Sequence, residues 1–525
     1  MDNMKNKSSE TAEASQSKFT VKLDKFFGVT DRGSTIRTEI VAGIVTFLAM
    51  CYILTVNPNQ FFYAGTANPS WTAVFIATAF GAIVGTLLMA FLAKLPLAQA
   101  PGMGLNSLVG SIIGGGVGAF AYSFEFSLAN AMFMVLVSGI LFLALSLINI
   151  KGVSLRQKIF EGIPPVIRTA IPVGIGLFIA YIGFQNAGFI ITKSYTQVSV
   201  IDFTNWGEQM VNYGSDGAAS AAVTPASALV MLFGLFVIAL LDKLHVRGAV
   251  IIGILAATLF GAIPGIDVTN FAIITGSEAG VSWNFIENFK NYFGENGVFG
   301  LAFTEGWKLP TGSIMTVVML IITMCMIDMF DTMGTCVGCC SAAGLLDKKG
   351  VPLNYDKIML SDSIATCAGS VFGTSTVTTF VESGAGIATG GKTGLTALTT
   401  AVMFFLAIFA LPLFATIPSA AAASALVYVG VLMMKGVKNI DFSDIRTSVP
   451  AFLAIVIMPL GYSITKGIGF AILSYVIISL FIIAGSAIKY AITKKEEDKP
   501  VWDISIVTII IAVLFIIYFF VPTVL

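Results

Sequence analysis

Apolar runs follow one another along this chain with only short polar turns between them, and that pattern leaves very few possible folds. A helix of about 20 residues crosses roughly 30 Å of hydrocarbon. A backbone in lipid must satisfy its own hydrogen bonds, so helices are the default spanning element. Runs lie near 37–56, 72–93, 97–113, 128–149, 163–190, 226–242 and 247–264. After a long polar stretch they resume near 312–340, 357–373, 376–391, 395–416, 418–434, 449–464 and 467–489. The pattern predicts an all-α polytopic membrane protein of fourteen segments. One more run, 504–521, lies beyond the charge cluster 494–499 and is either a fifteenth span or a peripheral helix. The composition, 56% hydrophobic and 11% charged, is not that of a soluble globular domain.

Positive charge orients the spans, because short cytoplasmic loops collect Lys and Arg. Every even-numbered exit obeys: Lys94; Lys151, Arg156 and Lys158; Lys243 and Arg247; Lys348 and Lys349; Lys392; Lys435, Lys438 and Arg446; Lys489, Lys494 and Lys495. The loops 191–224 and 265–310 are neutral or acidic on balance, as expected outside. Residues 1–35 are polar and lack the apolar stretch of a signal peptide, so a cytoplasmic amino terminus is expected. An odd number of spans per half inverts the second half, the arrangement of inverted-repeat transporters. The halves echo each other weakly, Ile163-Pro164 against Ile417-Pro418, and both third spans are short and Gly-rich. Zero net charge with no basic stripe argues against a nucleic-acid partner. Six cysteines scattered through apolar segments do not form a disulfide framework.

Against this background Asp328, Asp331 and Glu382 stand out, in M-I-D-M-F-D-T-M-G-T and T-S-T-V-T-T-F-V-E-S-G-A-G. A carboxylate near the bilayer centre costs at least about 2–4 kcal/mol, so it faces a cavity, a partner or a substrate. The two third spans are also poor helices. Pro101 removes a donor and Gly102 and Gly104 weaken the first, while a Thr-rich, β-branched run leads into Glu382 in the second. Backbone freed at membrane depth can hydrogen-bond a polar ligand, and a planar heterocycle with donors and acceptors on its rim suits it. Asn106 both donates and accepts, and Asp331 and Glu382 supply charged acceptors.

The segments T-E-I-V-A-G-I-V-T-F-L-A-M, A-P-G-M-G-L-N, D-M-F-D-T-M-G-T, G-L-L-D-K-K-G and G-T-S-T-V-T-T-F-V-E-S-G-A-G-I-A-T-G-G-K-T-G-L resemble the AzgA-like adenine, guanine and hypoxanthine permeases, a purine branch of the nucleobase/ascorbate-type nucleobase-cation symporters. The resemblance runs from Phe26 to the carboxyl terminus. It implies a seven-plus-seven inverted repeat with half-strands in spans three and ten. A core domain (36–150 and 312–416) would move against a gate domain (151–265 and 417–490). The remainder is a cytoplasmic segment (1–35), an external loop (266–311) and a charged linker with the extra hydrophobic segment (491–525). By motif the family's site falls on Asp331, Glu382 and Asn106, flanked by Gly104, Thr335, Val381 and Ser383. Thr335 stands where relatives have a polar or ionisable group. Proton handling is implied for Asp331 and Glu382, with Asp328 a further candidate.

The expected function is proton-coupled purine import across the plasma membrane, with no cofactor, a purine nucleobase as small-molecule partner, and a homodimer through gate helices. Two carboxyls in one poorly solvated cavity repel, so at least one is expected to hold a proton; Na⁺ is the other coupling ion considered. Another nucleobase or a small anion on the same fold is an alternative. An intramembrane prenyltransferase or aspartyl enzyme using Asp328 and Asp331 is another, but it lacks a second acidic cluster. Asp347, Asp356 and Asp362 are too widely spaced and read as lying in or near a loop. The residues 386–393 match G-x-x-x-x-G-K-T, yet no strand-and-helix context of a nucleotide-binding domain surrounds them. Cys336, Cys339 and Cys340 lack a second ligand pair for zinc, the methionines 324, 326 and 329 read as packing, His245 as solvated and 114–118 as an external turn.

Overall fold

The computed structural model describes residues 18–62, 68, 70–113, 126–150, 153–154, 162–193, 197–204, 206, 210–213, 219–246, 248–269, 271, 281–294, 297–347, 351–495 and 499–520. Lys151, Arg156, Lys158, Arg247, Lys348, Lys349 and the turn 114–118 lie outside the described residues. The chain is mostly helical. Its helices are α1 (Lys18–Phe27), α2 (Ile36–Met50), α3 (Ile53–Phe61), α4 (Trp71–Leu88), α5 (Met103–Ile112), α6 (Leu128–Leu147), α7 (Pro165–Asn186), α8 (Pro225–Lys243), α9 (Ala249–Phe260) and α10 (Phe285–Phe293). They continue with α11 (Leu301–Thr304), α12 (Ile314–Ala343), α13 (Tyr355–Phe372), α14 (Ser383–Ala388), α15 (Gly394–Ile408), α16 (Leu411–Ala415), α17 (Ser419–Met433), α18 (Ile445–Leu460), α19 (Ile464–Thr493) and α20 (Ile506–Phe520). Among the described residues eight helical stretches are long and apolar enough to cross a membrane, and α5, α9, α15, α18 and α20 are shorter apolar helices.

The chain is mostly helical as expected, and short strands occur in loops, including the pair Asn149–Ile150 with Val153–Ser154, and within the bundle. Outside the bundle, β-hairpins occupy the loop 191–224, Ile190–Lys193 with Gln197–Val200 and Met210–Tyr213 with Ala219–Val223. Inside it, each Gly-rich third span divides into a three-residue strand and a short helix: β1 (Gln99–Pro101) runs into α5, and Val377–Thr379, here β2, precedes α14. The reason is local. Pro101 cannot donate to a helix, and Val377, Thr378 and Thr379 are all β-branched. The two strands pair antiparallel, with Gln99 opposite Thr379 and Pro101 opposite Val377, so each satisfies the other's backbone at membrane depth. Both are wholly buried. Helix α4 passes close behind them because residue 85 is glycine: a Cβ there would lie 2.8 Å from Val377 and 2.9 Å from the Gln99 side chain.

The helices pack as two sets, and the strand pair lies against helices of the first. In one, α13 lies against α6 and α4, and α15 against α2 and α4; in the other, α7 lies against α17 and α18, α18 against α19, and α8 against α9 and α17. The carboxyl-terminal apolar run, left open by the sequence, is helix α20, and it packs on both α19 and α12. It is held at its start. Asp503 receives two 2.5 Å bonds from the Arg446 guanidinium, and the hydroxyls of Ser505 and Thr508 donate to Gly162 O.

Candidate functional site

Helix α12 presents Ile327, Asp331 and Thr335, one residue in four, along a single face. That face, the end of β2 and the start of α5 border a cavity of about 370 Å³ whose far wall is α7 and α17. Its polar groups are Asp331, Thr335, Thr379, Glu382 and Tyr52; its apolar walls include Ile171, Ile175, Ile179, Phe380, Val381 and Val429. Such a size and a mostly apolar lining with a few convergent polar groups suit a small molecule. Gly104 lines it too, where a Cβ would sit 2.8 Å from the Ile175 side chain, so glycine lets α5 approach α7. Lys435 stands exposed at the rim.

Glu382 is the residue immediately before α14, at the point where the broken span turns from strand to helix. The phenol O–H of Tyr52 donates to its Oε1 at 2.5 Å. Ion pairs among the described residues are Lys308 with Glu305 and Arg446 with Asp503, so neither cavity carboxylate has a Lys or Arg partner there.

Five of the sequence-derived site residues therefore meet at one cavity: Gly104, Asp331, Thr335, Val381 and Glu382. The other three lie behind it. Asn106 is fully buried; its amide donates to Pro101 O at 3.3 Å and its carbonyl accepts from Ser375 Oγ. Its position ties the two broken spans together rather than reaching the cavity lining. Ser383 Oγ accepts from Ala98 N at 3.0 Å and performs the same bridging. Asp328, one turn before Asp331, faces away into fully buried surroundings, where Thr366 Oγ1 donates to Oδ2 at 2.9 Å. The two aspartates of D-x-x-D thus occupy separate environments, which does not suit a shared metal diphosphate site.

Two polar groups escaped the sequence reading. Asp362 is not in a loop but in the body of α13, fully buried, accepting from Gln99 Nε2 and Thr332 Oγ1 at 2.7 Å each. Thr332 also bonds Thr378 Oγ1 at 2.6 Å, so this network fastens α12, α13 and both strands into one block behind the cavity. Its signal was available, an acidic residue in an apolar helical stretch, but nearby loop residues masked it. Tyr52 carried no sequence signal, because a tyrosine among apolar residues near a helix end is ordinary.

The G-x-x-x-x-G-K-T segment also acquires a physical reading. The Glu39 carboxylate, fully buried, accepts from Lys392 N at 3.0 Å, Thr393 N at 3.1 Å, Thr393 Oγ1 at 2.8 Å and Thr396 Oγ1 at 2.5 Å. The turn binds an anion, and that anion is a side chain of the protein itself. Cys336, Cys339 and Cys340 are buried free thiols, and His245 is exposed.

Comparison with known proteins gives the chain's family and fold. The model of the Permease family matches residues 37–470. Guanine/hypoxanthine permease PbuO of Bacillus subtilis is 35% identical, with 94% of this chain and 100% of that protein aligned. Adenine permease AdeP of Escherichia coli is 33% identical, over 87% of this chain and 90% of that one. Among solved structures, the transmembrane domain of a cyanobacterium bicarbonate transporter, BicA, superposes with a TM-score of 0.54 at 16% identity, covering 83% of this chain and 97% of that domain. Murine Slc26a9, an anion transporter in the inward-facing state, gives 0.51 at 13% identity over 84% of this chain and 68% of its own. These last two likenesses concern the fold. The chain is a multi-pass transporter rather than an enzyme, and it belongs to the Permease family.

Proposed function

We propose that the chain imports purine nucleobases (adenine, guanine or hypoxanthine) by proton symport. The observation carrying this reading is that Asp331 and Glu382 line one apolar cavity, Asp331 from an unbroken helix and Glu382 from a span broken at membrane depth. A purine offers ring N–H groups to the carboxylates, aza nitrogens and exocyclic groups to Thr335 and Thr379, and flat faces to Phe380, Ile175 and Val429. The relatives named as adenine and guanine/hypoxanthine permeases support this cargo. Bicarbonate, the cargo named for BicA, suits the site poorly, since two carboxyls with no direct ion pair leave an anion no paired cation at the cavity's polar side.

In this reading fourteen spans form a seven-plus-seven inverted repeat centred on the antiparallel strand pair. The core (36–150 and 312–416), with β1, β2 and α12, moves in elevator fashion against the gate (151–265 and 417–490) along α7 and α17. A proton on one of the two carboxyls lowers the charge that must cross. Accumulation follows when purine binds the protonated site more tightly than the ionised one. The protein sits in the plasma membrane with its amino terminus cytoplasmic, and Lys435 marks a cavity mouth on the cytoplasmic side. Gate helices form a homodimer.

The test is uptake of radiolabelled adenine, guanine, hypoxanthine and uracil into purine-transport-deficient cells expressing the chain. Saturable purine uptake that collapses with a protonophore and ignores a Na⁺ gradient is expected. Uptake driven by Na⁺ replaces the coupling ion; failure of any nucleobase to accumulate, with the protein in the membrane, refutes the cargo.

A further inference from the structure

Tyr52 sits at the Cys51-Tyr52 junction of α2 and α3, where the backbone keeps right-handed helical dihedrals and the two helices form one stretch, 36–61. From there its phenol reaches the cavity wall. The ring is only 1% exposed, and Met103 Sδ lies 4.0 Å from the hydroxyl, behind the bond to Glu382. A buried phenol O–H needs an acceptor. Here the acceptor is the carboxylate at the break between β2 and α14, so the bond joins the α2–α3 junction to the start of α14, 330 residues away.

We propose that Tyr52 is a positioning and specificity-determining residue for the purine site. By holding Oε1, its hydroxyl stops the Glu382 carboxyl from rotating and leaves Oε2 as the oxygen that meets the ligand. The consequence for coupling is chemical. An ionised Oε2 can only accept a hydrogen bond; when a proton binds the carboxyl while Tyr52 still donates to Oε1, Oε2 carries the O–H and becomes a donor to a purine aza nitrogen. Proton and purine then act on one defined oxygen. A carboxyl free to rotate would present either oxygen in either state, and discrimination between the two states would fall.

This inference rests on the purine-transport reading, and the experiment separates their failures. Uptake of hypoxanthine, adenine and guanine is measured over a range of pH for wild type and Tyr52→Phe, with the amount of each protein in the membrane quantified. Tyr52→Phe keeps the ring and removes only the donor. The expected result is a rise in KM of roughly tenfold, equivalent to about 1.4 kcal/mol, with the maximal rate per transporter little changed and KM varying less steeply with pH. A purely structural tyrosine lowers the amount of transporter and leaves KM alone. Wild-type uptake with an unchanged KM and pH dependence in Tyr52→Phe overturns the role of Tyr52 while leaving purine transport standing. No wild-type purine uptake overturns both. Should Tyr52→Phe not reach the membrane, 3-fluorotyrosine at position 52 keeps the bond and alters its donor strength. A KM displaced at least about twofold then supports positioning through hydrogen-bond strength, and a wild-type KM overturns it.

Discussion

Glu39 and Glu382 are two carboxylates with no direct ion pair among the described residues, set into opposite surroundings. Glu39 is fully buried and takes four hydrogen bonds from the turn that opens α15. Glu382 takes one, from Tyr52, and borders a cavity. The first carboxylate is spent on structure: its donors replace the water it gave up, and it has little left to offer a ligand. The second retains acceptor capacity beside empty space. The same contrast recurs one helical turn apart on α12, where Asp328 is enclosed with Thr366 and Asp331 lines the cavity. An intramembrane acid is therefore a functional group when it keeps free acceptor capacity on the cavity side, and part of the packed interior when it is enclosed, as Asp328 is with Oδ2 bonded to Thr366 and Oδ1 unpaired.

Substitutions can break that contrast. The largest loss is expected for Glu382→Ala, in which purine uptake falls by roughly 100-fold or more, the scale of losing an oriented hydrogen bond to a charged group, while the unpaired Tyr52 hydroxyl costs about 1–3 kcal/mol and the protein still folds. Asp331→Asn keeps the shape and removes the charge; uptake down the purine gradient should outlast accumulation against it, a distinction read by comparing counterflow with proton-driven uptake. Glu39→Gln acts on stability. Turning an NH₂ toward donors that had a carboxylate costs about 2–3 kcal/mol, seen as a lower melting temperature with KM preserved in the protein that folds. Thr332→Val removes the hydroxyl shared by Asp362 and Thr378. It should cost about 1–2 kcal/mol, and an equal loss of KM would mean that the block behind the cavity also shapes the ligand's site.

The smallest effect concerns the carboxyl-terminal helix. The Arg446 guanidinium holds the Asp503 carboxyl below the usual carboxylate range. A lowered folded-state value contributes stability that is complete above the unfolded carboxylate range and is lost as pH falls through the folded value. Amide exchange at the start of α20 should thus rise only in acid, and Asp503→Asn should abolish that pH step.

Much of the fold was legible because the bilayer makes composition decisive. Apolar runs had to be buried or membrane-compatible segments, mostly helical, and Pro101, Gly104 and the Thr-rich approach to Glu382 had to interrupt them. Asp331 and Glu382 were legible for the same reason: a carboxylate in an apolar run needs an explanation. What could not be read was which face each group takes. Asn106 and Asp331 look equally polar in sequence, yet Asn106 closes on Ser375 behind the strands while Asp331 turns to the cavity. Partners such as Gln99 and Asp362, 263 residues apart, or Tyr52 and Glu382, are set by tertiary packing that no local pattern encodes.

The central claim is that the Asp331–Glu382 cavity is where purine binds. Equilibrium binding of radiolabelled hypoxanthine, adenine and guanine to purified protein tests it most directly, with wild type, Glu382→Ala and Glu39→Gln compared alongside their melting temperatures. Saturable binding in wild type and Glu39→Gln, lost in a Glu382→Ala protein that still shows a cooperative melting transition, is the predicted result. Wild-type affinity in Glu382→Ala would contradict the account and move the site elsewhere.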